Sequence, residues 1–198
     1  MLNRSVELAE KLSPKLYFTL QDLANILKLK PESTRVLLSR YTKKGIFIRM
    51  KKDFYVLRES FKKFTAEDFF QIANLLQVPS YISFLTALNF YEVTTQVQRD
   101  FFESAALKRS KKFEIKGIVF AYYKIKKCYY FDFIRLGNFF IASKEKAFVD
   151  SVYLYSFGKY KIDFSALDLT KLDKSKINKI IKVYPDKTKA IVKKIWRI

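Results

Sequence analysis

The chain has 198 residues and carries 39 Lys and Arg against 19 Asp and Glu, which is a formal net charge of +20 at pH 7. Apolar residues make up 49% of it, enough for a sizeable core, and this excludes a disordered basic tail. There is no His and a single Cys, which excludes an intrachain disulfide and any zinc site built from several Cys.

The first defined helix is predicted to begin after Thr19, which forms an approximate capping box with Asp22. The segment before it, Met1–Leu12, is amphipathic and is not expected to be a signal peptide, because no apolar core follows its basic start. Apolar residues then occur at the i, i+3, i+4, i+7 spacing of a helix: Leu20, Leu23, Ala24 and Leu27. Residues 28–30 predict a short turn.

A second helix is predicted from Pro31 to about Lys43. Proline suits the first position of a helix, where its missing N–H costs nothing. One face is suited to burial: Thr34, Leu37, Leu38 and Tyr41. Gly45 is expected to end this helix in the left-handed conformation. Strand-like residues 46–49 and 54–57 follow, and they predict a basic hairpin.

Helix, tight turn, helix and basic hairpin are typical of a winged helix-turn-helix, which we assign to residues 17–57 of a domain spanning residues 1–60. Such a domain places its second helix in the major groove and its hairpin beside the DNA backbone. The polar and basic side chains expected to contact DNA are Ser33, Arg35, Ser39, Arg40, Lys43, Arg49, Lys51 and Lys52. The alternatives are an ordinary solvated helix face and a module that docks proteins.

A second domain is predicted over residues 61–198, after a linker. Residues 69–91 lack charge, but they are too polar for a membrane span and are broken by Pro79. They predict two buried helices, the first opened by Thr65 and the second capped by Ser80.

Residues 97–142 have a β-pattern that predicts an antiparallel sheet of about four strands. One strand is expected over residues 128–136, with Cys128 as a small buried hydrophobe, and Gly137-Asn138 predicts a hairpin turn. Ser143 is expected to cap a helix that buries Ala147, Phe148, Val152 and Tyr155. Short helices near residues 165–183 and 186–197 complete an α+β chain.

The positive charge is segregated along the chain. Residues 106–127 hold 8 basic and 1 acidic side chains, and residues 171–198 hold 10 and 2. Such blocks suggest basic surfaces beyond the N-terminal domain, although both could be solvated faces. The residues proposed for a partner or nucleic-acid surface are Lys108, Arg109, Lys111 and Lys112.

Catalysis is not expected, because no nucleotide-binding loop, metalloprotease motif, nucleophile elbow or paired-carboxylate signature is present. No catalytic residue, metal or cofactor is therefore assigned, and Asp150 is expected to form a structural cap or ion pair. Residues 116–123 partly match an RNA-recognition strand. An aromatic strand packed against helices is the preferred interpretation of that segment.

Two further segments, taken with the winged helix, resemble the AbiEi antitoxin family. They are Val78 to Leu88, which contains Pro-Ser-Tyr-Ile-Ser, and Ile141 to Asp150, which contains Ala-Ser-Lys-Glu-Lys-Ala. The resemblance covers roughly residues 15–160. Members of that family pair with a nucleotidyltransferase toxin in type IV toxin–antitoxin systems. The chain departs from the family pattern in the wing turn, residues 51–53, which lacks Gly, and in residues 89–92, which replace a turn containing Gly.

The resemblance implies a cytoplasmic DNA-binding antitoxin that autoregulates its operon through double-stranded operator DNA and neutralises a nucleotidyltransferase toxin. The main alternative is a stand-alone winged-helix repressor whose C-terminal domain binds an effector or forms a dimer. A third is an RNA-binding or RNA-modifying accessory protein built on the aromatic sheet. The sequence leaves the oligomeric state open.

Overall fold

A computed structural model describes residues 8–96 and 98–196, and the chain divides into two compact units, Met1–Asp68 and Phe69–Ile198. The division falls eight residues after the boundary expected at residue 60, inside the helix Ala66–Leu76. That helix is described below with the C-terminal unit, which contains most of its residues. Residues 1–7 of the predicted amphipathic segment lie outside the described residues. Both helices and strands are present, so the fold is α+β.

The N-terminal unit packs short helices against a β-hairpin. Its described elements are α1 (residues 8–12), α2 (Leu20–Leu27), α3 (Pro31–Lys43), β1 (Phe47–Lys51), β2 (Phe54–Leu57) and α4 (Arg58–Phe61). Its apolar core is made by side chains from all of these except α4: Leu8, Leu12, Phe18, Leu23, Leu37, Leu38, Phe47 and Leu57. Leu23 and Leu37, predicted to face inward, are buried as expected.

Local signals explain where the helices of this unit begin and end. Thr19 and Asp22 form the predicted capping box, in which each side chain accepts the other residue's backbone N–H. Pro31 is the first residue of α3, as predicted. After α3, Gly45 takes a φ of 71°, and the N–H of Ile46 donates to the carbonyl of Tyr41 at 2.9 Å. This is the Schellman pattern that ends helices at glycine.

The hairpin is joined by a segment that the sequence did not identify as a strand. β1 and β2 pair antiparallel, with an irregular register between Arg49 and Lys51. Phe18 forms an isolated antiparallel bridge with Tyr55, with N···O distances of 2.8 and 3.0 Å. The chain just before α2 therefore adds to the edge of β2.

The C-terminal unit is built on a six-stranded sheet in its described part. Its elements are α5 (Ala66–Leu76), β3 (Ser80–Ile82), α6 (Phe84–Phe90), β4 (Phe101–Ala106), β5 (Lys111–Ile115), β6 (Ile118–Lys124), β7 (Phe133–Leu136), β8 (Phe139–Ala142), α7 (Lys144–Ser156), α8 (Lys174–Ile180) and α9 (Asp186–Trp196). The strand order is β5-β6-β4-β3-β8-β7. The β4–β6 and β3–β8 pairs are parallel and the others are antiparallel.

The prediction of an antiparallel sheet of about four strands is therefore wrong in both respects. Ser80 does not cap a helix; it opens the interior strand β3, and the N-cap of α6 is Ser83. Cys128 lies exposed in a short 3₁₀ turn, so it is neither in a strand nor buried. Tyr155, expected to be buried, is also exposed, while the Gly137-Asn138 hairpin is present between β7 and β8.

Helices cover the two faces of this sheet. On one face, α5 places Phe69 over Phe102, with ring centroids 5.1 Å apart, and the Tyr122 hydroxyl donates to the carbonyl of Ala73 at 2.5 Å. On the other face lie α6 and α7, both almost wholly buried. Among the described residues, no helix has both the length and the apolar character required to cross a bilayer.

Candidate nucleic-acid interface

The N-terminal unit contains a cleft of about 560 Å³ between the outer flank of α3, the first turn of α2 and the hairpin. Five of the eight side chains predicted to contact DNA line it: Arg35, Ser39, Lys43, Arg49 and Lys52. All five are exposed, whereas Leu38 and Tyr55 form part of its floor and are buried or half-buried. Four cations thus converge on one concave surface.

The helical period explains why the other predicted residues of α3 lie elsewhere. Thr34, Leu37 and Leu38 are buried, which turns the opposite side of α3 to solvent. Ser33 and Arg40 are exposed on the far flank of that outward side and do not line the cleft. The Arg40 guanidinium lies 5.7 Å from the centre of the Tyr41 ring, a cation–π arrangement.

The hairpin turn is held against the start of α2. Asp53 takes a left-handed φ of 55°, a conformation that glycine adopts more readily, and its carboxylate accepts the N–H of Leu20 at 2.7 Å. Lys51 and Lys52 are both exposed in this region, and the Lys51 ammonium lies 5.7 Å from the Phe54 ring centre. The turn therefore presents its lysines from a fixed position.

Two residues of the outward face were not among the predicted contacts. Glu32 and Val36 are exposed on α3, one helical turn apart, and Val36 has 67% of its surface accessible. Neither carries a positive charge, so a prediction based on basic and hydroxyl side chains does not include them. Hydrophobic periodicity could have found Val36, because it is an apolar residue outside the buried stripe.

The predicted second basic surface lies on the C-terminal unit, at one end of the sheet. Lys108 and Arg109 are exposed between β4 and β5, and Lys111 and Lys112 are exposed on β5, which is an edge strand. Successive residues of a strand point to opposite faces. Accordingly, the Lys111 ammonium lies 4.1 Å from the Phe113 ring centre, whereas that of Lys112 lies 5.6 Å from Phe101. The four cations do not form one flat patch.

A buried polar network joins the two sequence segments that carry the family resemblance. Lys146 and Asp150 form an ion pair with both side chains at 0% exposure. The Lys146 ammonium also donates to the hydroxyls of Tyr81 and Tyr184, each at 2.9 Å. Those hydroxyls donate in turn to Asp150, at 2.9 and 3.1 Å, and Ser83 donates to it at 2.9 Å.

Every polar hydrogen of the Lys146 ammonium therefore has an acceptor, which is the condition for burying a charge without a large penalty. Burial lowers the pKa of Lys146 and raises that of Tyr81. No member of this network is open to solvent, so the network belongs to the core of the unit and does not contact a partner. Asp150 forms the ion pair that was predicted for it.

The aromatic strand β6 is also part of the core. Phe120 is fully buried, and the hydroxyl of the half-buried Tyr123 donates to Glu103 at 3.3 Å. Stacking on single-stranded bases requires exposed rings, so Phe120 does not provide it. Within residues 8–96 and 98–196, no group of three or more Cys, Asp or Glu is arranged to hold a metal ion.

Comparison with known proteins does not assign the chain to a family. No protein-family model matches the chain, and a search among curated proteins gave no significant match.

Proposed function

We propose that the chain is a transcription regulator whose N-terminal unit is a winged helix-turn-helix that binds duplex DNA. The observation that carries this proposal is the cleft between α3 and the hairpin, which gathers Arg35, Ser39, Lys43, Arg49 and Lys52. Cationic and hydroxyl side chains on a helix beside a basic hairpin suit contacts to base edges and phosphates.

The connectivity of the unit supports the same proposal. A helix, a strand bridge at Phe18, two helices and a hairpin follow one another, and the bridge pairs with the second hairpin strand. In a winged helix this arrangement sets the hairpin beside the second helix of the pair, which is α3 here. We propose that the chain binds DNA in the cytoplasm and catalyses no reaction.

Salt dependence tests the phosphate contacts. We expect full-length protein to bind a duplex chosen from a random pool, with affinity falling steeply as salt rises. Arg49→Gln with Lys52→Gln should make the log–log slope shallower by about 0.9 for each phosphate that the variant no longer neutralises. The matched control, Lys62→Gln with Lys63→Gln, removes the same charge from exposed residues outside the cleft and should leave the slope unchanged. Equal slopes for the two double variants would exclude the cleft from DNA binding.

For the C-terminal unit, we propose the antitoxin role implied by the AbiEi resemblance, with a nucleotidyltransferase toxin as partner. The Lys146–Asp150 network is buried and cannot contact a partner, so this proposal rests on the resemblance and on exposed side chains. The exposed cations at 108–112 are a candidate contact surface, since charge complementarity speeds encounter and excludes wrong partners.

A growth assay with a nucleotidyltransferase encoded in the same operon tests this role. Co-expression of the full chain should restore growth, and a variant with Lys108, Arg109, Lys111 and Lys112 changed to Glu should not. Full rescue by the charge-reversed variant would remove that surface from the mechanism. Absence of rescue by the folded wild type would contradict the antitoxin role.

One observation favours the alternative of a stand-alone repressor with an effector. The C-terminal unit has a cleft of about 390 Å³ that no charged residue lines, within the usual size range of ligand pockets. Its walls include Leu75, Val78, Phe133 and Phe140. A neutral ligand that alters operator affinity in the absence of any toxin gene would support this alternative.

A further inference from the structure

The outward face of α3 carries one apolar side chain among polar ones. Val36 is the most exposed large hydrophobic residue in the described part of the chain, at 67%. Its neighbours on the helix surface, three and four positions away, are Glu32, Ser33, Ser39 and Arg40, all exposed. A valine at this position contributes nothing to the core.

Local stability does not explain this valine either. Branching at Cβ restricts the side chain in a helix, so valine is a weaker helix former than alanine or a straight-chain residue. Isolated exposed apolar residues are common on protein surfaces. Here, however, the residue lies on the outward face of α3, about one helical turn from Ser39, which lines the cleft that the proposed function directs at DNA.

The major groove of DNA offers one apolar group on its base edges, the C5 methyl of thymine. Arginine and serine contact acceptors and donors there, and glutamate accepts from the cytosine amino group. Valine has no hydrogen-bonding group, so the thymine methyl is the base-edge group that suits it. We propose that Val36 is a specificity-determining residue that recognises a thymine methyl in the operator, an inference that rests on the proposed DNA binding.

Thymine-to-deoxyuridine substitution tests this contact, because deoxyuridine keeps the base pair and lacks only the methyl. The probe is a duplex selected from a random pool with full-length protein, then substituted at one thymine at a time. At one or more positions the substitution should weaken wild-type binding by about fourfold, which is the affinity lost when one methyl group is no longer buried on binding. The measurement is fluorescence anisotropy at constant salt.

The same duplexes are then titrated with Val36→Ala. This variant should bind the thymine duplex more weakly than the wild type. It should lose most of the discrimination against the deoxyuridine duplex, because the alanine side chain is shorter than that of valine. Alanine is a good helix former, so the variant is expected to fold, which circular dichroism checks. Val183→Ala is the matched control, since Val183 is 54% exposed outside the N-terminal unit, and it should behave as the wild type.

Three outcomes are informative. Loss of methyl discrimination in Val36→Ala alone supports the inference. Binding of selected duplex DNA with no methyl effect, or with an effect that Val36→Ala retains, overturns the inference while the proposed function stands. Failure of the wild type to bind duplex DNA overturns both.

Discussion

The carboxylate of Asp53 accepts a hydrogen bond from the backbone N–H of Leu20, with 2.7 Å between Oδ1 and the nitrogen. Leu20 is the first residue of α2, and Asp53 lies in the β1–β2 turn. The first N–H groups of a helix have no partner within the helix, and a negative charge there is favoured by the helix dipole. The Asp53 side chain thus provides an acceptor for an N–H at the start of α2 and holds the β1–β2 turn against that helix.

The Asp53 contact is tested by two substitutions that separate the hydrogen bond from the backbone conformation. Asp53→Gly removes the hydrogen-bond acceptor, but glycine adopts the φ of 55° without strain. Asp53→Ala removes the acceptor and adds a left-handed penalty of about 1–2 kcal/mol. We expect amide exchange at Leu20 to accelerate in both variants and the free energy of unfolding to fall further in Asp53→Ala. Unchanged Leu20 protection in Asp53→Gly would contradict this role.

The helices of the N-terminal unit could be predicted from sequence because their signals are local. The Thr19–Asp22 capping box, Pro31 and Gly45 each act within a few residues, and each does what its type predicts. The Leu20–Asp53 hydrogen bond and the Phe18–Tyr55 bridge join residues more than thirty positions apart. No periodic pattern encodes such pairings.

The C-terminal sheet was harder to predict because burial on both faces removes the alternation that identifies strands. Ser80–Ile82 is buried at every position, and a short apolar run of this kind is equally consistent with a buried helix. The structure has five strands over residues 97–142, β4 to β8, against the expected number of about four. One of them, β5, begins with Lys111 and Lys112, which have low strand propensity. The parallel pairing of β4 with β6 depends on the intervening strand β5, which reverses the chain direction between them.

The cleft was only partly predictable for a related reason. Residue type identified Arg35, Ser39 and Lys43 on α3, and the helical period placed them together on one flank. The same reasoning included Arg40, which lies on the other flank. Whether a given exposed residue faces the hairpin depends on how α3 packs against β1, and sequence spacing alone does not set that.

The effects of substitutions at Lys146 and Asp150 on the free energy of unfolding should be strongly non-additive. Asp150→Asn leaves the ammonium of Lys146 without its counter-ion, and breaking a buried pair in this way costs about 3–5 kcal/mol. Lys146→Met should have a comparable effect. The double variant Lys146→Met with Asp150→Asn should lose much less than the sum of the two single losses, because it leaves no buried charge.

Unfolding of the C-terminal unit can be followed by the fluorescence of Trp196, the only tryptophan of the chain, whose ring centroid lies 5.5 Å from that of Phe148. Asp186→Asn is the matched control, because the Asp186–Lys189 pair is largely exposed and should contribute little. Additive losses in the double variant would show that the two buried groups do not stabilise each other.

Stability should depend on pH through Glu103, whose pKa is raised from 4.5 to about 7 by burial in the folded chain. The folded state then holds a proton that the unfolded chain loses near pH 4.5. The contribution of Glu103 therefore favours folding below pH 4.5 and is lost as the pH rises through 7. At about 1.4 kcal/mol per pKa unit, it amounts to roughly 3 kcal/mol.

Glu103→Gln removes this titration while keeping the size of the side chain next to Tyr160, whose hydroxyl donates to Glu103 at 2.7 Å. Denaturant unfolding at pH 4, 6 and 8, followed at Trp196, gives the comparison. We expect the variant to gain stability relative to the wild type as the pH rises. A constant difference in the free energy of unfolding between the two proteins across this range would show that the pKa of Glu103 is the same in the folded and unfolded chain.

The C-terminal unit is expected to fold without the N-terminal unit, provided that α5 remains whole. Thr65 and Asp68 cap α5, with the N–H of Thr65 donating to the Asp68 carboxylate at 2.8 Å and the N–H of Asp68 donating to the Thr65 hydroxyl at 3.3 Å. The same helix packs its buried residues, among them Ile72 and Ala73, on the sheet. A fragment of residues 61–198 keeps the cap and should melt cooperatively.

A fragment of residues 69–198 begins inside α5 and loses the capping box with the first turn. Loss of a cap costs about 1 kcal/mol, so this fragment should melt at a lower temperature than residues 61–198. Thr65→Ala in the longer fragment isolates the cap and should give an intermediate melting temperature. Because Trp196 and the sheet are common to all three, circular dichroism and fluorescence should report the same transition in each. If residues 61–198 show no cooperative melt while the full chain does, the two units do not fold independently.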